Sequence, residues 1–274
     1  MFDAQPPDRS DPFSFAVAVR DRGVIAAVDE AIARRRVMLA FQPVMRADRP
    51  DDPPAFWEGL IRIIDASGRI VPAADFVGRI ETTETGRRVD ALAIELGLAA
   101  LSADPGLRLS INLGAHSIGY RPWTAALERG LSAEPGIGER LILEIEEKSA
   151  LRLSEVLRPL MEELQDRDVC FAVDGFGEGP TDLAKLVELG FDMAKLDARC
   201  GAGVTDDADR RLLVQTLLDI ARRLDMPTVA QGIEDARDAA TLAALGVDCL
   251  QGYALGAPTL DRARVVAPGR RPAA

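Results

Sequence analysis

The sequence predicts an α/β protein built as a TIM-like (β/α)8 barrel. Short apolar runs alternate with longer segments of helical periodicity, and strands that alternate with helices form a mainly parallel sheet, which eight strands can close. The length of 274 residues fits one barrel, because this fold commonly needs about 250 residues. The eight apolar runs lie at 38–44, 56–64, 108–113, 141–145, 169–174, 193–197, 227–231 and 248–251.

Both ends of the chain are expected to lie outside the barrel. Residues 1–22 are rich in proline and aspartate and predict a disordered tail. The barrel domain should begin near Gly23, where apolar residues start to recur at helical spacing, and should run over 23–260. Residues 261–274, with four arginines and two prolines, predict a C-terminal tail. Between the strands, the clearest helical patterns cover 88–102, 153–166 and 209–224.

Composition narrows the class of partner and the compartment. With 33 basic and 44 acidic residues the chain lacks the basic excess that a nucleic-acid polymer requires. Three cysteines without paired spacing and a single histidine argue against zinc or disulfide frameworks. The first residues do not resemble a signal peptide, and the longest apolar run, 91–101, is interrupted by Glu95. We therefore expect no membrane span and a cytoplasmic protein.

The segment 169–183, VCFAVDGFGEGPTDL, carries the clearest local signal of a functional site. Its apolar β-formers predict a buried strand, Asp174 lies where that strand should end, and the glycines that follow allow the backbone to bend closely around a ligand. Barrel enzymes carry their chemistry at the C-terminal ends of the strands. Five polar residues are therefore expected to converge on one mouth: Asn112, Glu144, Asp174, Lys195 and Gln231.

Eight short blocks occur in the order found in EAL domains, and the chain resembles that family over most of its length. The blocks are FQPVM at 41–45, WEGLIR at 57–62, LSINL at 109–113, LILEIEE at 141–147, AVDGFGEG at 172–179, MAKLD at 193–197, VAQGIE at 229–234 and LQGYALGAP at 250–258. EAL domains are phosphodiesterases and receptors for the bacterial messenger cyclic di-GMP. The resemblance also implies that the first barrel strand runs antiparallel to the others.

The resemblance implies a site for one metal ion, Mg²⁺ or Mn²⁺. Phosphodiester hydrolysis uses hard cations held by oxygen donors. The family's first-metal ligands are matched by Glu58, Asn112, Glu144 and Asp174. Each alone has a structural interpretation, such as a solvated acid or the Asx cap of a loop. Four oxygen donors on four strands favour a site, because an unpaired buried acid is costly.

The second half of the family's active site is missing. The family has a second aspartate directly after the first, where this chain has Gly175, and a glutamate where it has Gln231. Glycine offers no ligand, and glutamine cannot take up a proton at neutral pH. Three carboxylates remain of five, which predicts at most one cation and negligible hydrolysis.

Several polar positions of the family's ligand site are retained. By resemblance, contacts to the nucleotide are expected from Gln42, Arg62, Lys195 and Gln251. Arginine and lysine are suitable phosphate ligands. The alternative for Lys195 is a salt bridge inside the barrel, with Asp197 or Glu144. Glu147 matches the family's loop-stabilising glutamate. After Gly177 the family shows Thr-Gly-Tyr-Ser-Ser, whereas this chain has EGPTD at 178–182, and its two acids would repel an anionic ligand unless they point away.

Three functions remain open at this point. The first is a catalytically inactive cyclic di-GMP receptor that passes occupancy to a protein partner. The second is a weakly active phosphodiesterase that forms pGpG. The third is a protein-interaction module that no longer binds nucleotide. Family members often dimerise beside the Gly-rich loop, so a homodimer is also expected.

Overall fold

The fold is that of a computed structural model, which describes residues 12–262, with side chains from residue 20 onward. In this range the chain forms nine strands: β1 (Val37–Arg46), β2 (Phe56–Ile64), β3 (Ile70–Pro72), β4 (Leu109–Asn112), β5 (Leu141–Glu146), β6 (Cys170–Phe176), β7 (Met193–Leu196), β8 (Thr228–Ala230) and β9 (Cys249–Leu250). Each of the eight apolar runs of the sequence overlaps one of these strands.

The same residues form ten α-helices, most of which follow a strand and pack outside the barrel. They are α1 (Pro12–Ala33), α2 (Val77–Ile80), α3 (Glu84–Ala103), α4 (Arg121–Ala133), α5 (Glu147–Arg152), α6 (Ser154–Gln165), α7 (Leu183–Leu189), α8 (Ala198–Gly201), α9 (Ala208–Arg223) and α10 (Ala236–Leu245). The three helical patterns of the sequence correspond to α3, α6 and α9. No helix in the described part of the chain is long and apolar enough to cross a membrane.

Eight strands close into a mixed barrel, which confirms the predicted fold class. Strands β2 and β4 to β9 pair in parallel from neighbour to neighbour. Strand β1 closes the circle between β9 and β2 and is antiparallel to both. The first strand therefore runs against the others, as the family resemblance implied.

Strand β3 was not predicted. After Ile64 the chain turns back, and β3 pairs antiparallel with the end of β2. Glu58 is the third residue of β2 and so precedes the part of β2 that pairs with β3. Glu58 still lies beside the mouth, level with Ser110 of β4.

The N-terminal helix begins earlier than expected. We predicted a tail over residues 1–22, but α1 begins at Pro12 and covers residues 12–22. Proline is favoured in the first turn of a helix, because its missing N–H has no partner there and its φ angle already suits the helix. The helical pattern read from Gly23 onward therefore extends upstream. Residues 1–11, and 263–274 of the predicted C-terminal tail, lie outside the described range, and the domain boundaries remain a prediction.

The core fills both sides of the barrel wall. A large cluster of buried side chains lies between the strands and the surrounding helices. A smaller one fills the inside of the barrel with Val44, Phe56, Ile142, Ala172 and Val229. Layers of this kind make the interior of an eight-stranded barrel a packed core and not a pore. Polar groups are thereby concentrated at the strand ends.

Candidate functional site

At the centre of the mouth, Lys195 of β7 forms salt bridges with carboxylates on two other strands. Its ammonium lies 2.6 Å from Glu144 Oε2 and 3.1 Å from Glu58 Oε2. All three residues are buried, with exposed fractions of 0% for Lys195, 1% for Glu144 and 7% for Glu58. The salt bridge with Glu144 is the alternative considered for Lys195 from the sequence. The one with Asp197 does not form, because Asp197 caps α8 and pairs with Arg199.

In this buried group one ammonium, of Lys195, lies between the carboxyl groups of Glu58 and Glu144. Burial raises the pKa of Glu144 to about 8, and the neighbouring charge of Glu58 adds to this. Burial would also raise the pKa of Glu58, but Lys195 and hydrogen bonds from Gln251 and Asn112 outweigh it and lower the pKa. Although burial opposes it, the two glutamates raise the pKa of Lys195. Glu144 is therefore the member of the group that takes up a proton first.

Amide side chains complete the surroundings of Glu58. Asn112 Nδ2 donates to Glu58 Oε1 over 3.1 Å, and Gln251 Nε2 donates to Glu58 Oε2 over 2.6 Å. Gln251 also approaches Gln42, with 3.4 Å between Nε2 and Oε1, and Gln42 donates to the carbonyl of Gly256. Predicted metal-site and ligand-site residues thus belong to one connected hydrogen-bond network.

A second polar pair lies on the β6 and β8 side of the mouth. Gln231 Nε2 donates to Asp174 Oδ1 over 2.6 Å and approaches the carbonyl of Leu196 at 3.4 Å. A glutamate at this position could not donate such a bond when ionised, because a carboxylate only accepts. Asp174 therefore has a partner from within the protein. The charge of Asp174 also contributes to the pKa shifts of Glu144 and Lys195, so the two groups belong to one site.

Gly175 has a backbone conformation that residues with a side chain rarely adopt. Its φ angle is +72°, and the pairing of β6 with β7 shifts register between Val173 and Phe176. Glycine enters the left-handed region without steric penalty, whereas most residues are strained there. Glycine at this position thus coincides with a local distortion of the strand.

Arg62 lies at the rim with no salt bridge among the described residues. It is partly buried on β2, and its guanidinium donates to the carbonyl of Ile61 over 2.9 Å. Burial lowers the pKa of Arg62, while Tyr253 and Glu58 act in the opposite direction. The guanidinium remains charged at neutral pH, because its unperturbed pKa lies far above 7. Arg62 can therefore offer hydrogen-bond donors to an anion.

The Gly-rich loop after β6 is tied down by acids. Glu147 Oε2 accepts from the amide of Gly177 over 3.2 Å, while Glu147 Oε1 is buried without a hydrogen-bond partner. Asp182 caps α7 by accepting from the amide of Lys185, and Glu178 pairs with Lys148 and Arg199. The two acids that would repel an anionic ligand are thus both engaged by the protein's own donors.

Most of the predicted metal ligands already have partners within the protein. Glu144 Oε1 and Gln251 Oε1 are both buried without a hydrogen-bond partner, and so are free acceptors at the centre of the site. The other predicted ligands already accept from, or donate to, neighbouring side chains. Among the side chains from residue 20 to 262, no three of His, Cys, Asp or Glu are arranged to hold a metal ion. A cation would therefore have to compete with Lys195.

Sequence reasoning missed a partly buried acid beside the site. Asp90, on α3, accepts a hydrogen bond of 2.5 Å from Ser117 in the loop that follows Asn112. Burial raises the pKa of Asp90 to about 6, while Ser117 and the amide of Gly114 oppose the shift. The available signal was an aspartate among the apolar positions of α3. His116, the single histidine of the sequence, lies exposed in a short 3-10 turn in the same loop.

Two features of the structure point to one family: the reversed first strand of the barrel and the polar cluster at its mouth. The family model for the EAL domain matches residues 25–258, and the chain belongs to that family.

The chain is similar to proteins of known activity. It is 27% identical over 239 residues to the bifunctional diguanylate cyclase/cyclic di-GMP phosphodiesterase MucR of Pseudomonas aeruginosa. This match covers 84% of this chain and 34% of MucR. It is 26% identical over 235 residues to the cyclic di-GMP phosphodiesterase PdeB of Shewanella oneidensis, covering 84% of this chain and 27% of PdeB. The chain thus spans about a third or less of these relatives.

Solved structures support the fold. The PaMucR phosphodiesterase in complex with c-di-GMP superposes with a TM-score of 0.78 at 24% identity, over 86% of this chain and 97% of that one. The FimX EAL domain of Pseudomonas aeruginosa bound to c-di-GMP gives a TM-score of 0.76 at 23% identity, over 86% and 96% of the two chains. At these identities the similarity concerns the fold alone.

Proposed function

We propose that this EAL domain is degenerate and acts as a catalytically inactive receptor for cyclic di-GMP. The observation that carries the proposal is the pairing of Gln231 with Asp174 beside Gly175. A neutral amide at position 231 donates to Asp174 Oδ1, and glycine at position 175 supplies no acid. Neither position offers a carboxylate to bind a second cation or to take the proton of an attacking water. Loss of a general base alone typically lowers a rate by about 10²–10⁴.

Binding is proposed because the rim keeps its donors. Arg62 makes no salt bridge among the described residues and can form a bidentate pair with phosphate. Gln42 and Gln251 belong to the network around Glu58 and would orient the ligand at the same rim. Lys195, at the centre of that network, supplies positive charge. Two structures with similar folds are complexes with c-di-GMP, which fits this ligand.

A single Mg²⁺ or Mn²⁺ is part of the proposal. Glu58, Asn112, Glu144 and Asp174 would hold it with oxygen donors, and the ion would supply charge neutralisation at a ligand phosphate. Lys195 opposes the cation and already forms salt bridges with both Glu58 and Glu144. Binding of the metal alone should therefore be weak, and a bound phosphate should strengthen it.

A weak phosphodiesterase is the second candidate. It is favoured by the buried Oε1 of Glu144, an acceptor without a partner in a site that keeps three carboxylates. The third candidate, a module that binds only proteins, has no need of Arg62. We propose that the receptor is cytoplasmic and signals through a protein partner, with a homodimer as a further assembly.

Calorimetric titration with cyclic di-GMP separates the three functions. The titrations are run with Mg²⁺ and with EDTA, and the nucleotide is analysed by chromatography afterwards. A receptor binds and releases intact nucleotide, an enzyme releases pGpG, and an interaction module binds nothing. Arg62→Ala should weaken the affinity by about 10- to 150-fold, the range for a hydrogen bond to a charged group.

The matched control is Arg69→Ala, because Arg69 is an exposed arginine that pairs with Asp65 away from the network. Its affinity should equal that of the parent. Equal affinities for the parent and Arg62→Ala would contradict the proposed site, and no binding at high micromolar nucleotide would remove the receptor function.

A further inference from the structure

The Gly-rich loop has lost one acid at position 175 and has another three residues later. Glu178 stands where the family usually shows threonine. Its amide donates to the carbonyl of Gly175 over 2.9 Å, which closes a tight turn. A Cβ atom built on Gly175 would lie 3.7 Å from Glu178 Oε2. The carboxylate of Glu178 therefore lies next to the position from which an acid is missing.

Two cations from neighbouring helices hold this carboxylate. Lys148, on α5, lies 2.6 Å from Glu178 Oε1, and Arg199, on α8, lies 3.3 Å from the same oxygen. Arg199 also donates to the carbonyl of Glu178 over 3.2 Å and is itself oriented by Asp197 at 2.7 Å. The loop is thus fastened on both sides, to α5 before β6 and to α8 after β7.

The contact is accessible to ions from solvent. The side chains of Lys148 and Arg199 are 59% and 67% exposed, and that of Glu178 is 28% exposed. Ion pairs at such exposure are weakened by salt. A charged group that competes for Lys148 and Arg199 would have the same effect. The attachment of the loop is therefore reversible by electrostatic means.

We propose that Glu178, Lys148 and Arg199 form an electrostatic latch that positions the Gly-rich loop at the barrel mouth. Glu178 is the positioning residue of this latch. Screening of the latch by salt releases the loop. The proposal does not depend on nucleotide binding.

Hydrogen exchange at the amides of Gly177 and Glu178 tests the latch in the intact chain. In low salt, Glu178→Gln should exchange about 3- to 10-fold faster than the parent, the range expected when exposed ion pairs are lost. Added NaCl should accelerate exchange in the parent and leave the variant unchanged. A purely structural role of the loop would not produce this salt dependence.

The control for exchange is Arg158→Gln, which removes an exposed ion pair with Glu162 on α6. It should leave loop exchange and its salt dependence as in the parent. Equal exchange in the parent and Glu178→Gln, or salt dependence that survives in the variant, would overturn the proposal.

Discussion

Lys195→Met tests whether the centre of the site is held together by charge. Methionine has a similar length and no charge, so the substitution leaves Glu58 and Glu144 without a cation between them. Both carboxylates are buried, and Lys195 is their salt-bridge partner. Breaking a buried pair by removing one partner typically costs about 3–5 kcal/mol. For a chain of this size the cost corresponds to a fall in Tm of about 6–20 °C.

The direction of the pH dependence follows from the carboxylates. Without Lys195, burial should raise the pKa of both glutamates above the unfolded value, so the native state should bind more protons than the unfolded state. The free energy of unfolding of Lys195→Met should therefore rise, relative to the parent, as the pH falls from 8 to 5. Urea denaturation at several pH values measures this. Mg²⁺ should stabilise the variant more than the parent, because a cation no longer competes with the ammonium.

Two further variants make the result interpretable. Lys185→Met removes a half-buried lysine that donates to the carbonyl of Leu151, and should cost about 1 kcal/mol. Lys195→Met combined with Glu144→Gln removes one of the two stranded charges, and should be less destabilised than Lys195→Met alone. A cost below 1 kcal/mol for Lys195→Met, or a double variant less stable than the single one, would refute the charge argument.

Four further predictions concern chemistry, pH and metal. The parent should form no pGpG with Mg²⁺ or Mn²⁺; turnover at about 1–10³ s⁻¹, seen by chromatography, would contradict this. Gly175→Asp combined with Gln231→Glu should raise pGpG formation above that of the parent, because it restores both carboxylates, whereas either change alone should do little; a double variant as inactive as the parent would contradict this. Asp90 has a native pKa of about 6 against 3.8, so the native state binds more protons in this window and stability falls as pH rises through it. Asp90→Asn should remove this pH dependence. Across the window the free energy of unfolding of the parent, measured by urea denaturation, should change by at most about 3 kcal/mol. An unchanged pH dependence in the variant would refute the assignment. Titration with Mn²⁺ should give at most one weakly bound ion per chain without nucleotide, and two bound ions would exclude the single-cation site.

The sequence located the elements of the barrel better than its edges. Each apolar run overlaps a strand. The reason is that a parallel strand covered on both faces consists mostly of apolar residues. Strand β3 was missed because Ile70–Pro72 is only three residues long and forms as a hairpin partner of β2. The start of α1 at Pro12 was missed because a proline- and aspartate-rich composition was taken to indicate a tail.

The sequence also supplied the residues of the site, but not their partners. Convergence of Asn112, Glu144, Asp174, Lys195 and Gln231 followed from their positions at strand ends. That Gln231 donates to Asp174 could not be predicted, since the two residues are far apart in the chain and meet only across β7. The neutralisation of Glu178 by Lys148 and Arg199 was hidden for the same reason.

The sequence by itself determined the class of fold, the family and the presence of Gly175 and Gln231 where the resemblance implies acids, because these depend on residue type and order along the chain. Only the tertiary structure decided how the remaining charges are balanced. Lys195 meets Glu58 and Glu144 from separate strands, and Glu178 meets cations from two helices. Such contacts depend on distances of a few ångströms between segments remote in sequence, and Coulomb interactions and desolvation change steeply over those distances. The register of the closed barrel therefore sets the charge balance at the mouth.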